Sequence, residues 1–133
     1  MTRFIAIRPW PRFALAAAND AIPKVATMTF SCTAAVPTAH GSRYLQQLCK
    51  HWAHNLAVDF TPEHGTVAFP KDIRGAVFPG DALAIMDARE ATLDIRIDAT
   101  SPEQRDALKG VVARHLDRFA FREAPLHFDW RNL

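Results

Sequence analysis

Apolar and polar residues alternate along several stretches of this 133-residue chain and recur at helical spacing along two others. From Met28, alternation puts Met28, Phe30, Cys32, Ala34 and Val36 on one side and Thr29, Ser31 and Thr33 on the other, which predicts a half-buried strand stopped by Pro37. Val58 and Phe60 predict a short strand, Pro62 to Gly65 a turn with proline early and glycine last, and Val67 with Phe69 the returning strand. Pro70 to Asp81, punctuated by Pro70, Gly75, Pro79 and Gly80, predicts a loop. Ala82 to Met86 and Thr92 to Ala99 predict a second hairpin around Asp87 to Glu90. Within it Leu93, Ile95 and Ile97 alternate with Asp94, Arg96 and Asp98, so that strand has one wet face. Leu126, Phe128 and Trp130 alternate with His127, Asp129 and Arg131 as a last strand.

The helical stretches lie between these. In Arg43 to His54, Leu45, Leu48, Cys49, Trp52 and the following Leu56 fall on one face, while Arg43, Gln47, Lys50, His51 and His54 occupy the other. Thr38 or Ser42 is placed to cap this helix, and Asn55 to end it. The second helix starts at Ser101 with Pro102 at its first position and Gln104 set to close a capping box, and runs to about Phe119. Leu108, Val111, Val112, Leu116 and Phe119 make its buried face, with His115 inside the apolar arc as a hydrogen-bonded core residue. The order β-α-β-β-β-β-α-β predicts an α+β fold: a mainly antiparallel sheet with two amphipathic helices on one face.

Composition adjusts this picture at the N-terminus. Residues 1–27 carry arginines, prolines and an alanine run without a clean period. They read as an extension, disordered or produced by a mis-assigned start, ahead of a single α+β domain over 28–133. As a secretory signal the segment is poor, and its composition leaves an Arg-rich targeting peptide open. Arg3, Arg8, Arg12 and Lys24 against Asp20 give residues 1–30 a charge of +3. From Ser31 onward lie 12 of the 16 basic and 13 of the 14 acidic side chains, a net of −1 that offers nucleic acid no footprint. No apolar run approaches the length of a membrane span. Cys32 and Cys49 lack C-x-x-C spacing, which suggests a reduced, cytoplasmic protein with a Cys32 to Cys49 bridge only if geometry allows.

Motifs for nucleotide binding, serine hydrolysis and zinc hydrolysis are all missing, and Cys49 on an apolar face is a poor nucleophile. A binding face fits better. Arg43, Lys50, His51 and His54, joined by Arg118 and Arg122 if the helix ends lie side by side, suit an anionic ligand. A guanidinium offers a planar fork to carboxylate or catecholate, and imidazole donates a hydrogen bond or ligates metal. His51 and His54, three apart, are the candidate metal ligands and need a third from His40, His64 or His127. Cys49, Trp52, His115, Phe119 and Phe121 are assigned to structure, with Phe119 and Phe121 anchoring the helix end and Arg122 paired with Glu123. No cofactor follows from these residues.

The motifs RYLQQLCKHWAH and VVARHLDRFAFRE, the latter ahead of a last strand ending in tryptophan, make the chain from Phe30 to Trp130 resemble a small bacterial family, domain of unknown function 2218. The resemblance implies a link with iron handling and a siderophore-interacting, flavin-dependent reductase as partner. The resulting expectation is a non-catalytic binding or accessory module linked to iron or siderophore handling. The alternative is a structural or interaction module, dimeric or bound to the reductase, with no small ligand; a small cysteine/histidine enzyme ranks below both.

Overall fold

The computed structural model describes residues 29–72 and 75–133. Residues 1–27, and the expected strand start at Met28, lie outside the described residues. The elements are β1 (Phe30–Pro37), α1 (Gly41–Trp52), β2 (Ala57–Phe60), β3 (His64–Phe69), β4 (Ala82–Ala88), β5 (Thr92–Ala99), α2 (Pro102–Phe119) and β6 (Arg131–Asn132), in the predicted order. They form one six-stranded sheet, β2-β3-β4-β5-β1-β6, with every neighbouring pair antiparallel.

The strand periods decide which face is covered. Cys32, Ala34 and Val36 of β1, Val67 and Phe69 of β3, Ala84 and Met86 of β4, and Leu93, Ile95 and Ile97 of β5 are buried beneath the helices. Helix α1 packs on β3 and β4, α2 on β5 and β1, and the two helices touch each other. Leu45, Leu48, Cys49 and Trp52 from α1 meet Leu108, Val112 and Leu116 from α2 in a single core. Both cysteines are free and buried, so the conditional bridge does not form. Among the described residues no helix is long and apolar enough to cross a membrane.

Four local expectations change. Gly65 is not the last residue of a turn; it sits in β3 opposite Phe60. A Cβ there would lie 2.9 Å from Cys49 Sγ and 3.3 Å from Leu45 Cδ2, so the glycine is what lets α1 approach the sheet. Helix α1 starts two residues earlier than expected, and neither Thr38 nor Ser42 caps it: His40 occupies the cap position without a side-chain bond. Thr38 Oγ1 accepts from His40 N at 3.0 Å and donates to Glu123 Oε2 at 3.0 Å, while Ser42 Oγ donates to Pro62 O at 2.6 Å, so both hydroxyl protons go to distant partners.

Ser101 does cap α2, accepting from Gln104 N at 3.1 Å. The Gln104 side chain, however, passes over Ser101. Its Oε1 accepts from Thr100 N at 2.8 Å and Thr100 Oγ1 at 2.6 Å, and its Nε2 donates to Gly80 O at 3.0 Å. The buried amide therefore ties the loop before β4 to the helix. The last strand shrinks to Arg131 and Asn132, paired with Thr33 and Cys32. Upstream, Leu126 N donates to Asp117 Oδ1 at 2.9 Å, a side-chain partner in place of a sheet one. The alternation of Leu126, Phe128 and Trp130 reflects burial against the core without a ladder.

Candidate ligand-binding site

Two amphipathic helices packed side by side on a sheet leave a seam on their outer side. At the N-terminal end of α1 and the C-terminal end of α2 this seam opens into a cleft of about 250 Å³ lined by Arg43, Tyr44, Gln47, Phe119, Phe121 and Arg122. Arg43 and Gln47 are one turn apart on α1, so both reach the same wall. Helix α2 ends at Phe119, Ala120 tucks into the core, and the next turn throws Phe121 outward. Phe121 is therefore no anchor: it is 69 % exposed and forms a wall of the cleft, with the Arg122 guanidinium 5.6 Å from its ring centre.

The expected Arg122–Glu123 ion pair does not form among the described residues. Glu123 turns instead to α1, where its Oε2 accepts from Tyr44 Oη in a very short bond and from Thr38 Oγ1 at 3.0 Å. Tyr44 is almost fully buried and its hydroxyl requires a partner, so Glu123 is held by a contact spanning 79 residues of chain. The bond from Tyr44 holds the Glu123 carboxyl below its ordinary range, with Thr38, His40 and Arg43 assisting. Burial and the same carboxylate push the Tyr44 phenol up. Arg43 and Arg122 have neither an ion pair nor a hydrogen bond among the described residues. They leave the cleft with two uncommitted guanidiniums against one carboxylate already bonded to two hydroxyls.

One turn along α1 the seam carries imidazoles. His51 lies 5.7 Å from His115 and 5.8 Å from Phe119, centre to centre, and His115 lies 5.1 Å from Trp52. His115 is half-buried with Nδ1 2.7 Å from Val111 O, the satisfied position expected of it. Burial holds its pKa below the ordinary histidine value. His51 therefore faces His115, while His54 stands exposed in the turn beyond the helix. No group of three or more His, Cys, Asp or Glu side chains able to hold a metal occurs among the described residues, so His40, His64 and His127 do not complete a site. Lys50 and Arg118 are exposed and do not line the cleft. Cys49 lies in the core, its thiol pushed up to about 12 by burial, which keeps it protonated and unreactive at neutral pH.

Sequence reasoning thus reached Arg43 and Arg122 and missed Tyr44, Gln47 and Glu123. A signal for Tyr44 was available: Tyr44, Leu48 and Cys49 share the i, i+4, i+5 face that is buried, and a buried phenol must be hydrogen-bonded. Nothing local marked Glu123 as its partner. A second concavity, about 300 Å³, lies on the open face of the sheet between Thr33, Ala35, Ile85, Asp87, Asp94 and Arg96. Its charged groups are paired: Asp87 with His64, Asp94 with Arg89, and Arg96 with Asp98.

A comparison with curated proteins finds no match. Among solved structures, the chain is similar to the NMR structure of PA4090 from Pseudomonas aeruginosa, at 27% identity and a TM-score of 0.61, covering 77% of this chain and 95% of that one. The family model described as an uncharacterized protein conserved in bacteria, DUF2218, matches residues 33–131, the stretch from β1 to β6 that builds both the sheet and the cleft. The chain belongs to the DUF2218 family.

Proposed function

We propose that this protein is a non-catalytic binding module whose ligand is a small planar anion, a carboxylate or catecholate, held in the cleft between the helix ends. The observation that carries the reading is the pair of guanidiniums, Arg43 and Arg122, that line a cleft with Phe119 and Phe121 and have neither an ion pair nor a hydrogen bond among the described residues. Guanidinium forks match the oxygens of such ligands, and the phenyl rings match their flat faces. A volume of about 250 Å³ suits a single ring with its substituents. Catecholates are also ferric chelators, which connects this chemistry with the iron-handling role implied by the family resemblance.

The test is calorimetric titration of the full chain with 2,3-dihydroxybenzoate and with its ferric complex. Loss of a charge-assisted contact costs about 1.5–3 kcal/mol, so Arg43→Ala and Arg122→Ala should each weaken binding at least about tenfold with the melting temperature nearly unchanged. Undiminished affinity in the double variant would sink the reading. Binding of the free acid but not its ferric complex would keep the anion site and remove the iron connection.

A second reading, an interaction module, is favoured by one feature. β6 lies beside only Cys32 and Thr33, so from Ala34 to Pro37 that edge of β1 has no strand partner among the described residues. Such an edge is a template for strand addition by a second copy or a reductase partner. Light scattering that finds a monomer, with no complex formed on addition of a siderophore-interacting reductase, would remove it.

A further inference from the structure

We propose that His51 and His115 together form a two-imidazole site for a late first-row divalent metal ion that arrives with carboxylate ligands already bound to it. The site lies one turn along the seam from the anion cleft and needs no ligand in that cleft.

The geometry comes first. With metal–nitrogen bonds of about 2.1 Å, two imidazoles on one ion hold their ring centres roughly 5 to 6 Å apart. The His51 and His115 centres are 5.7 Å apart across the helix pair, with the rings tilted by 41°. His51 and His54, by contrast, are separated by the end of the helix, since α1 stops at Trp52.

Val111 O can only accept, so the 2.7 Å contact puts the proton of His115 on Nδ1 and leaves the Nε2 lone pair free. A backbone carbonyl on the far nitrogen is the usual outer support of a ligating histidine. The His51 ring has no hydrogen bond among the described residues, so neither ring must give up a partner to bind metal. Trp52 and Phe119 pack against the rings and limit their rotation. Arg118 and Arg114, on the same helix, carry their charges near His115.

The same arginines specify the form of the metal. They oppose a bare dication and favour one whose charge is neutralised by carboxylates. Imidazole suits copper, nickel and zinc, and with no third protein ligand among the described residues the remaining positions stay with the incoming chelator. Two protein ligands are too few for a structural site, so the ion is exchangeable cargo.

Copper(II)–iminodiacetate is the direct probe, since its chelator uses three donors and leaves positions open for imidazole. The full chain would be titrated with it and followed by calorimetry and electron paramagnetic resonance. Binding with a nitrogen-coordinated spectrum is expected for the native chain, with at least a tenfold loss in His51→Ala and in His115→Gln and less than a twofold change in His54→Ala. Because His51 is exposed and its variant should fold normally, H51A alone decides the matter even if H115Q does not fold. Unchanged binding in H51A overturns the proposal, and so does a tenfold loss in H54A, which would put the ion on the pair at the helix end.

Discussion

The two sides of the sheet spend their charges differently. On the open side, Asp87, Asp94, Arg96 and Asp98 are matched by His64, Arg89 and one another, all within hydrogen-bond distance. On the helix side, Arg43 and Arg122 line one cleft and have no such partner among the described residues, while Tyr44 and Thr38 both donate to the nearby carboxylate of Glu123. A ligand landing on the open face must first break an existing ion pair, whereas one entering the cleft meets guanidiniums that have no ion pair or hydrogen bond among the described residues. Charge density alone would not have separated the two surfaces. The commitment of each charge does.

The most severe way to break the comparison is to move the helix that carries half of the cleft. Gly65→Val places atoms where Cys49 and Leu45 already sit, and overpacking of this kind costs about 1–3 kcal/mol. Urea denaturation should report a loss at the upper end of that range, and binding of dihydroxybenzoate should fall with it as α1 is displaced.

Glu123→Gln sharpens the contrast because its two effects have opposite signs. Weakening a charge-assisted bond to the buried Tyr44 hydroxyl should cost about 1 kcal/mol, since Glu123 itself is exposed and partly screened. Removing the one carboxylate beside the two arginines should at the same time tighten binding of the anionic probe. A variant that loses both stability and affinity would show that Glu123 organises the cleft more than it restrains its charge.

Stability should fall with acid in two separable windows. His115 has a folded pKa below its unfolded value of about 6.5, so the unfolded chain takes up the proton first. Its contribution is complete above that value and is lost as pH falls through the depressed folded pKa. Glu123 is also depressed, from an unfolded value of about 4.3. Its contribution is present above that pH and disappears as pH falls through the lower folded value. Urea midpoints measured from pH 8 to 3 should show both declines, with His115→Gln flattening only the upper and Glu123→Gln only the lower. The smallest effect belongs to the open face. Arg96→Ala should change stability by less than about 1 kcal/mol, fading in high salt, and leave binding in the cleft unchanged.

Much of the fold was legible because it is written in short-range periods. Alternation in Thr92–Ala99 and helical spacing in Arg43 to His54 each depend on residues a few positions apart, and both survive in the structure. The start of α2 was readable for the same reason: Ser101, Pro102 and Gln104 are neighbours. The start of α1 was not, because Thr38 and Ser42 have better partners in Glu123 and Pro62. The last strand misled for a related reason. Leu126, Phe128 and Trp130 do bury apolar surface at a period of two, yet a strand also needs a ladder, and only Arg131 and Asn132 have one.

The order of the elements, the apolar face of each, and the presence of basic and aromatic side chains at the outer ends of both helices follow from the amino-acid sequence alone. Local spacing suffices for these, since each is a property of a single strand or helix. Which of those side chains share a site is fixed only in three dimensions: Arg43 and Arg122 line one cleft, Tyr44 bonds to Glu123, and His51 lies against His115 while His54 stands in the turn beyond the helix. Those pairings depend on how far α1 slides along α2. The close seating of α1 on the sheet, with Gly65 of β3 against Cys49 and Gly41 of α1 against Leu93, likewise joins residues far apart in the chain, which no periodicity within either helix can encode.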